Sequence, residues 1–331
     1  MQAPRYFTAA AWQRPNAAEN QTCSIALSRY SKFGCKGIGP KPLQQFSAAG
    51  VIGRLESGGL ANSTACSEIS SNRRNAAIMG SSRRKRLEPS PVRVLIVSDL
   101  HANLEAVSAL PSDFDQLWVL GDLVNYGPNP AEVVEFVRQR AAMVVRGNHD
   151  HAVGFDEDPR CSARFRRMAE ETRRYTGSAL NQEQRRYLRN LPLKATVAAA
   201  GTHFLMCHAV PSEPLFEYRR EESPLWLADP VEPGIDIELV GHTHIPFRRF
   251  LESRLVVNPG SVGQPKHGRA EACYAIWEDG GITLGSAAYD VERTVERLRR
   301  LCLSPAVFED LAFVLRNGSV PSACALPPPS S

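Results

Sequence analysis

No stretch of the 331-residue chain approaches the ~20 consecutive apolar residues that span a bilayer as a helix. The N-terminus has no apolar core of the kind a secretory signal needs. Paired cysteines are missing as well. Cys23, Cys35, Cys66, Cys161, Cys207, Cys273, Cys302 and Cys324 are scattered, with no C-x-x-C spacing, which fits reduced thiols better than a disulfide framework. The expected location is the cytoplasm. Net charge is only +4, and it is uneven: residues 1–90 hold 13 of the 39 Lys and Arg and 4 of the 35 Asp and Glu. The first 90 residues therefore net +9 and the remainder −5. An acidic remainder lacks the clustered cations of a broad nucleic-acid-binding face, so no stable nucleic-acid partner and no membrane partner is expected. The sequence carries no signal for oligomeric state.

Composition divides the chain. Residues 1–90 are rich in Ser, Ala, Asn, Gly and Arg, show no sustained period and end in Arg83-Arg84-Lys85-Arg86. They read as a disordered basic extension, with Met79 a candidate true start, in preference to a transit peptide. Residues 91–318 read as one domain and 319–331 as a Pro/Ser tail. From Val92 onward apolar runs of strand length alternate with helical spacing. Strands are expected at Val92–Val97, Leu117–Leu120 and Ala142–Val145, with helices over Asn103–Leu110 and Pro130–Arg140. Two charged helices follow, near Pro159–Tyr175 and Asn181–Asn190. A second strand-rich half runs from Ala195 to Ala287, with a hairpin around Asp279-Gly280-Gly281. Two helices close the domain. This pattern predicts an α/β fold of two sheets, not a Rossmann unit.

Five polar motifs stand in order: Asp99-Leu100-His101, Gly121-Asp122, Gly147-Asn148-His149-Asp150, His208, and Gly241-His242-Thr243-His244. Four of them follow apolar runs, so ligand-type side chains gather where strands end, the usual active-site edge of such sheets. Asp, Asn and His suit divalent Mn, Fe, Zn or Ni. The seven candidates (Asp99, His101, Asp122, Asn148, His208, His242 and His244) are too many for one tetrahedral ion and suit two ions sharing a carboxylate. Asp122 is the candidate bridge, since Gly121 permits close backbone approach. Asp99 and His101 alternate by two, which at a strand end points both to one side. His242 and His244 share that spacing, though a tight turn would send each to a different ion. Two adjacent ions point to hydrolysis of a phosphate ester.

Taken together, these motifs resemble the signature of calcineurin-like metallophosphoesterases. Ser98-Asp99-Leu100-His101-Ala102-Asn103 and Asn258-Pro259-Gly260-Ser261 are similar to the compact bacterial and archaeal phosphodiesterase branch, over about residues 92–290. The resemblance implies a four-layer α/β/β/α sandwich of two mixed sheets. It assigns one metal to Asp99, His101, Asp122 and His244, and the other to Asp122, Asn148, His208 and His242. It implies a metal-bridging hydroxide as nucleophile and His149 as the group that protonates the leaving oxygen or steadies the transition state, with Asp150 placed to orient its ring. Manganese is favoured, with Fe, Ni or Zn as alternatives. The expected substrate is a small phosphodiester or nucleotide-type ester. A phosphoprotein or a dinucleoside polyphosphate is the alternative, and a non-catalytic scaffold is the reading that the intact ligand set disfavours. Asn125 and Tyr126 after the bridging Asp, and the pair Arg219 and Arg220, are candidate substrate contacts, the arginines for a second phosphate or a nucleotide.

Overall fold

The computed structural model describes residues 92–321. The N-terminal extension, Met79 as a start, and the tail from 322 lie outside the described residues. Two five-stranded mixed sheets carry the fold. In the first, β1 (Val94–Val97) lies parallel to β2 (Gln116–Val119), and β2 to β3 (Ala141–Val144). The hairpin of β9 (Glu271–Glu278) and β10 (Gly281–Ala288) adds antiparallel strands on the other side of β1. The second sheet runs β4 (Lys194–Ala199), β5 (Thr202–Cys207), β6 (Ile237–Leu239), β8 (Leu255–Asn258) and β7 (Phe247–Phe250). Within it β5, β6 and β8 are parallel.

The sheets face each other across an apolar core. Val94 and Ile96 of β1, with Trp118 and Trp277, meet Phe204, Met206, Leu239 and Val257 of the second sheet. Phe204 packs edge to face with Trp118 at 5.0 Å and with Trp277 at 5.5 Å. Fully burying side chains of this size contributes roughly 1.5–3 kcal/mol each. The alternate residues Leu95, Val97, Leu117 and Val119 turn outward, under α1 (Leu104–Ser108), α2 (Pro130–Arg140) and α5 (Gln182–Asn190). α4 (Ala163–Ala179), α6 (Val291–Arg299) and α7 (Pro305–Asn317) form a further cluster around Met168, Leu298 and Leu311. The outer face of the second sheet is covered by a loop and a 3-10 turn, Pro224–Leu227, which buries Trp226 against Phe247 and Val256.

One helix departs from the sequence-based expectation. α3 (Asn148–Phe155) starts inside the third polar motif. Its first three residues are polar yet buried, and the apolar Ala152, Val153 and Gly154 are buried too, so no polar-outward face marks it as helical.

Candidate metal centre

Both sheets deliver their motifs at the carboxyl ends of parallel strands. Asp99, Asp122 and Asn148 follow β1, β2 and β3; His208 and Gly241 follow β5 and β6. The turns there are left-handed: φ is +55° at Asp99, +44° at His101, +54° at Asp122, +64° at His242 and +62° at His244. Non-glycine residues rarely occupy this region, and doing so costs of order 1–3 kcal/mol each. The surrounding backbone holds them in place. Asp99 N–H donates to the Gly121 carbonyl at 3.0 Å, His101 N–H to Asp122 at 2.9 Å, and Gly241 N–H to His208 at 2.7 Å. Thus Asp99 and His101 converge through left-handed turns, not through the strand alternation that their spacing suggests. A Cβ on Gly147 would collide with the Asp122 side chain and backbone, so that glycine lets the second and third motifs touch.

The Asn258–Ser261 turn supports the same edge. Asn258 Nδ2 donates to the Gly241 carbonyl at 2.6 Å, and Ser261 Oγ donates to the Asp99 carbonyl at 2.8 Å. The turn braces the first and last motifs from behind.

Six candidate ligands fall into two buried groups: Asp99, His101 and His244, and Asp122, His208 and His242. His101 Nδ1 donates to the Val124 carbonyl at 3.1 Å and His244 Nδ1 to the Gln264 carbonyl at 2.6 Å. With the proton fixed on Nδ1, each Nε2 presents a lone pair, and the two lie 3.2 Å apart. Burial holds both rings below the ordinary imidazole value, with the Lys266 charge adding to it at His244. Two facing lone pairs repel unless they share a cation. In the second group His208 Nδ1 donates to the Leu120 carbonyl at 2.8 Å. Its Nε2 lies 3.1 Å from Asn148 Oδ1, 3.1 Å from His242 Nδ1 and 3.3 Å from Asp122 Oδ2. Burial pulls the His208 ring down, but the Asp122 carboxylate outweighs it and raises the ring to about 9.

Asp99 Oδ1 and Asp122 Oδ2 are buried with no hydrogen-bond partner among the described residues. Orphaned acceptors of this kind are costly unless a cation satisfies them. Asp122 Oδ2 also lies 3.8 Å from His101 Nε2, so this oxygen faces both groups. Asn148 adds a neutral oxygen, aimed inward because its Nδ2 donates to the Pro159 carbonyl at 2.7 Å. The donor set fits a pair of divalent cations.

His149 stands outside both groups. Its N–H donates to Asp122 Oδ1 at 2.9 Å, Asn125 Nδ2 donates to its Nδ1 at 2.8 Å, and Cys161 Sγ lies 3.4 Å from its Nε2. Burial pushes the ring down to about 4, against the attraction of Asp122. Asp150 does not reach this ring as expected. Its carboxylate accepts from the backbone N–H of Asp122 and Leu123, each at 2.8 Å, and of Gly147 at 3.0 Å. Asp150 thus ties the second motif to the start of α3, and Asn125 is the residue that orients His149.

The remaining candidates separate. Tyr126 is buried, with its ring 4.8 Å from that of His101 and 4.7 Å from that of His149. It packs beneath the site. Arg219 is spent elsewhere, paired with Asp229 and Glu217 and lying over Trp226 at 4.9 Å. Arg220 is exposed and lines a shallow groove with Thr243 and Phe247. Asn129 precedes α2 and bonds Glu132. His151 and His203 lie beside Glu157 and Asp236, and His267 beside Cys273. Sequence reasoning left two neighbours of the site without a role: Cys161, noted only as a scattered thiol, and Lys266, whose one clue is its place just past the Asn258–Gly263 turn. Tyr218, another neighbour, stacks on His242 at 3.9 Å.

The chain matches the family model described as the calcineurin-like phosphoesterase superfamily domain over residues 92–279. It is 32% identical over 228 residues to the uncharacterized protein MJ0912 of Methanocaldococcus jannaschii, covering 62% of this chain and 91% of that one. A solved metallophosphoesterase from Sphaerobacter thermophilus is similar at 31% identity and TM-score 0.56, covering 68% of this chain and 100% of that one. A segment of 38 residues, 11% of this chain, is 58% identical to 14% of the symmetrical bis(5'-nucleosyl)-tetraphosphatase of Thioalkalivibrio sulfidiphilus. The chain belongs to the calcineurin-like phosphoesterase superfamily and is a metal-dependent hydrolase of phosphoric esters.

Proposed function

We propose that the protein hydrolyses a phosphodiester or nucleotide-type phosphate ester at a dinuclear centre made of Asp99, His101, Asp122, Asn148, His208, His242 and His244. The observation that carries this reading is the pair of buried groups meeting at the unpartnered Oδ2 of Asp122. When bound, two divalent cations supply Lewis-acid polarisation of the phosphoryl oxygens and acidify water toward neutrality. Manganese is the first choice, and Fe, Ni or Zn suit the same donors. The chain's residues supply charge and orientation. Asp99 and Asp122 balance the cations, and the carbonyls behind His101, His208 and His244 aim each Nε2 inward before substrate arrives. His149, with Asn125 donating to its Nδ1, presents its Nε2–H to steady the leaving oxygen. The Cys161 thiol there is a weak hydrogen-bonding partner that such an oxygen displaces. The reading is completed by a small substrate, no stable nucleic-acid or membrane partner, and a cytoplasmic location. No described helix is long and apolar enough to cross a membrane, and the four described cysteines are free.

A second reading, hydrolysis of a dinucleoside polyphosphate at the same centre, is favoured by the short match to a bis(5'-nucleosyl)-tetraphosphatase. The test is a panel of bis-p-nitrophenyl phosphate, p-nitrophenyl phosphate, a phosphoserine peptide and diadenosine tetraphosphate with Mn, Ni, Zn, Mg or Fe. Turnover of the diester above the monoester is expected. Turnover of the monoester or phosphopeptide alone would move the protein to the phosphatase reading, and no turnover with any ion would leave a scaffold.

A further inference from the structure

Lys266 is a cation beside the centre that no described carboxylate pairs. Its backbone is tied to one side of the site, because the Gln264 carbonyl two residues earlier accepts from His244 Nδ1 at 2.6 Å. Its ammonium reaches the other side, 4.3 Å from the ring centroid of Phe165 at the start of α4. Four residues before Phe165, the Cys161 thiol touches His149. Lys266 therefore spans the gap between His244 and His149.

No carboxylate among the described residues pairs with the Lys266 ammonium, and the residue is half-buried. Arg219, by contrast, is ion-paired with Asp229. The amide of Gln264, 1% exposed, adds two buried atoms with no partner on the same short segment. The cations that the candidate ligands would hold account for the charge of one phosphate. A lysine is a donor-only point charge suited to another.

We propose that Lys266 binds a second phosphate of the substrate, next to the one held at the metal centre. The substrate is then a nucleotide carrying a chain of at least two phosphates, and the role that the sequence suggested for Arg219 and Arg220 passes to Lys266. This rests on the centre being the hydrolytic site argued above.

The experiment compares diadenosine tetraphosphate with bis-p-nitrophenyl phosphate, which has one phosphate, on the full chain loaded with Mn. Lys266→Met is expected to lower kcat/KM for the tetraphosphate about tenfold more than for the diester, with the loss in KM. Lys266→Arg, which keeps the charge, is expected to recover most of that ratio. Equal losses on both substrates, or none on either, would overturn the proposal, since Lys266 would then support the centre or do nothing. A wild type that cleaves the diester and ignores the tetraphosphate would also overturn it while leaving the phosphodiesterase reading intact. A wild type that cleaves neither would overturn both. A thermal melt of each variant separates these outcomes from misfolding, and the arginine variant carries the test if the methionine one melts early.

Discussion

His101 Nε2 and His244 Nε2 face each other at 3.2 Å while the Nδ1 of each ring donates to a backbone carbonyl. The carbonyls remove the option of turning either proton inward. A divalent cation between the rings relieves the repulsion in the folded state alone, so it stabilises that state by mass action. At an ion concentration 100 times Kd this amounts to about 2.7 kcal/mol, or roughly 5–10 °C in Tm for a domain of this size. Thermal melts with and without EDTA, followed by addition of Mn, Zn, Ni or Fe, measure it. A Tm indifferent to every ion would sink the metal assignment.

Asp122→Asn isolates the bridge. Asparagine keeps an oxygen to accept from His149 N–H, the bond Oδ1 makes at 2.9 Å. It replaces the unpartnered, negatively charged Oδ2 with an amide donor that cannot face two cations. Turnover is expected to vanish and bound metal to fall, with the fold retained. Elemental analysis of the purified variant and a diester assay decide it; turnover at the wild-type rate would remove Asp122 from the bridging position.

His149→Ala removes a group outside both ligand clusters. Loss of general-acid chemistry is expected to slow turnover by ~10²–10⁴-fold with both metals still bound. Asn125→Ala, which frees the ring at Nδ1, is expected to fall in the same direction by less. A leaving group of low pKa needs no protonation, so both variants should recover on p-nitrophenyl esters relative to alkyl esters. Metal loss in His149→Ala would instead mark the residue as a strut.

Much of the site was legible because its residues break a strong pattern. Asp99, Asp122 and His208 interrupt apolar runs, and a polar side chain at a buried strand end has few structural reasons to be there. The strands themselves were legible for the same reason: Val94–Val97 is wholly buried in the centre of a sheet and wholly apolar. α3 was not, because a helix buried at its polar start has no alternation to read. Nor was the true job of Asp150, whose three partners are backbone N–H groups from two distant motifs. Sequence adjacency paired Asp150 with His149, while the helical turn sends the two side chains apart. The left-handed turns at Asp99 and His101 were hidden for a related reason, since the backbone that enforces them lies in Gly121 and Asp122.

Arg219 and Arg220 give the sharpest contrast between neighbours. The Arg219 guanidinium is 5% exposed and paired with Asp229, itself 2% exposed, and with Glu217. Removing it leaves the Asp229 charge buried with only Ser212 Oγ, at 2.6 Å, as a side-chain partner, and strips Trp226 of its stacked cover. Breaking a buried pair in this way costs about 3–5 kcal/mol. Arg219→Ala is therefore expected to lower Tm by roughly 10 °C, while Arg220→Ala, at an exposed position, stays within about 0.5 kcal/mol of wild type. Denaturant melts of the two variants alongside diester kinetics separate the roles. Arg219→Ala should lose activity only in proportion to the folded fraction, and a KM effect in a fully folded Arg219→Ala protein would return that residue to the substrate.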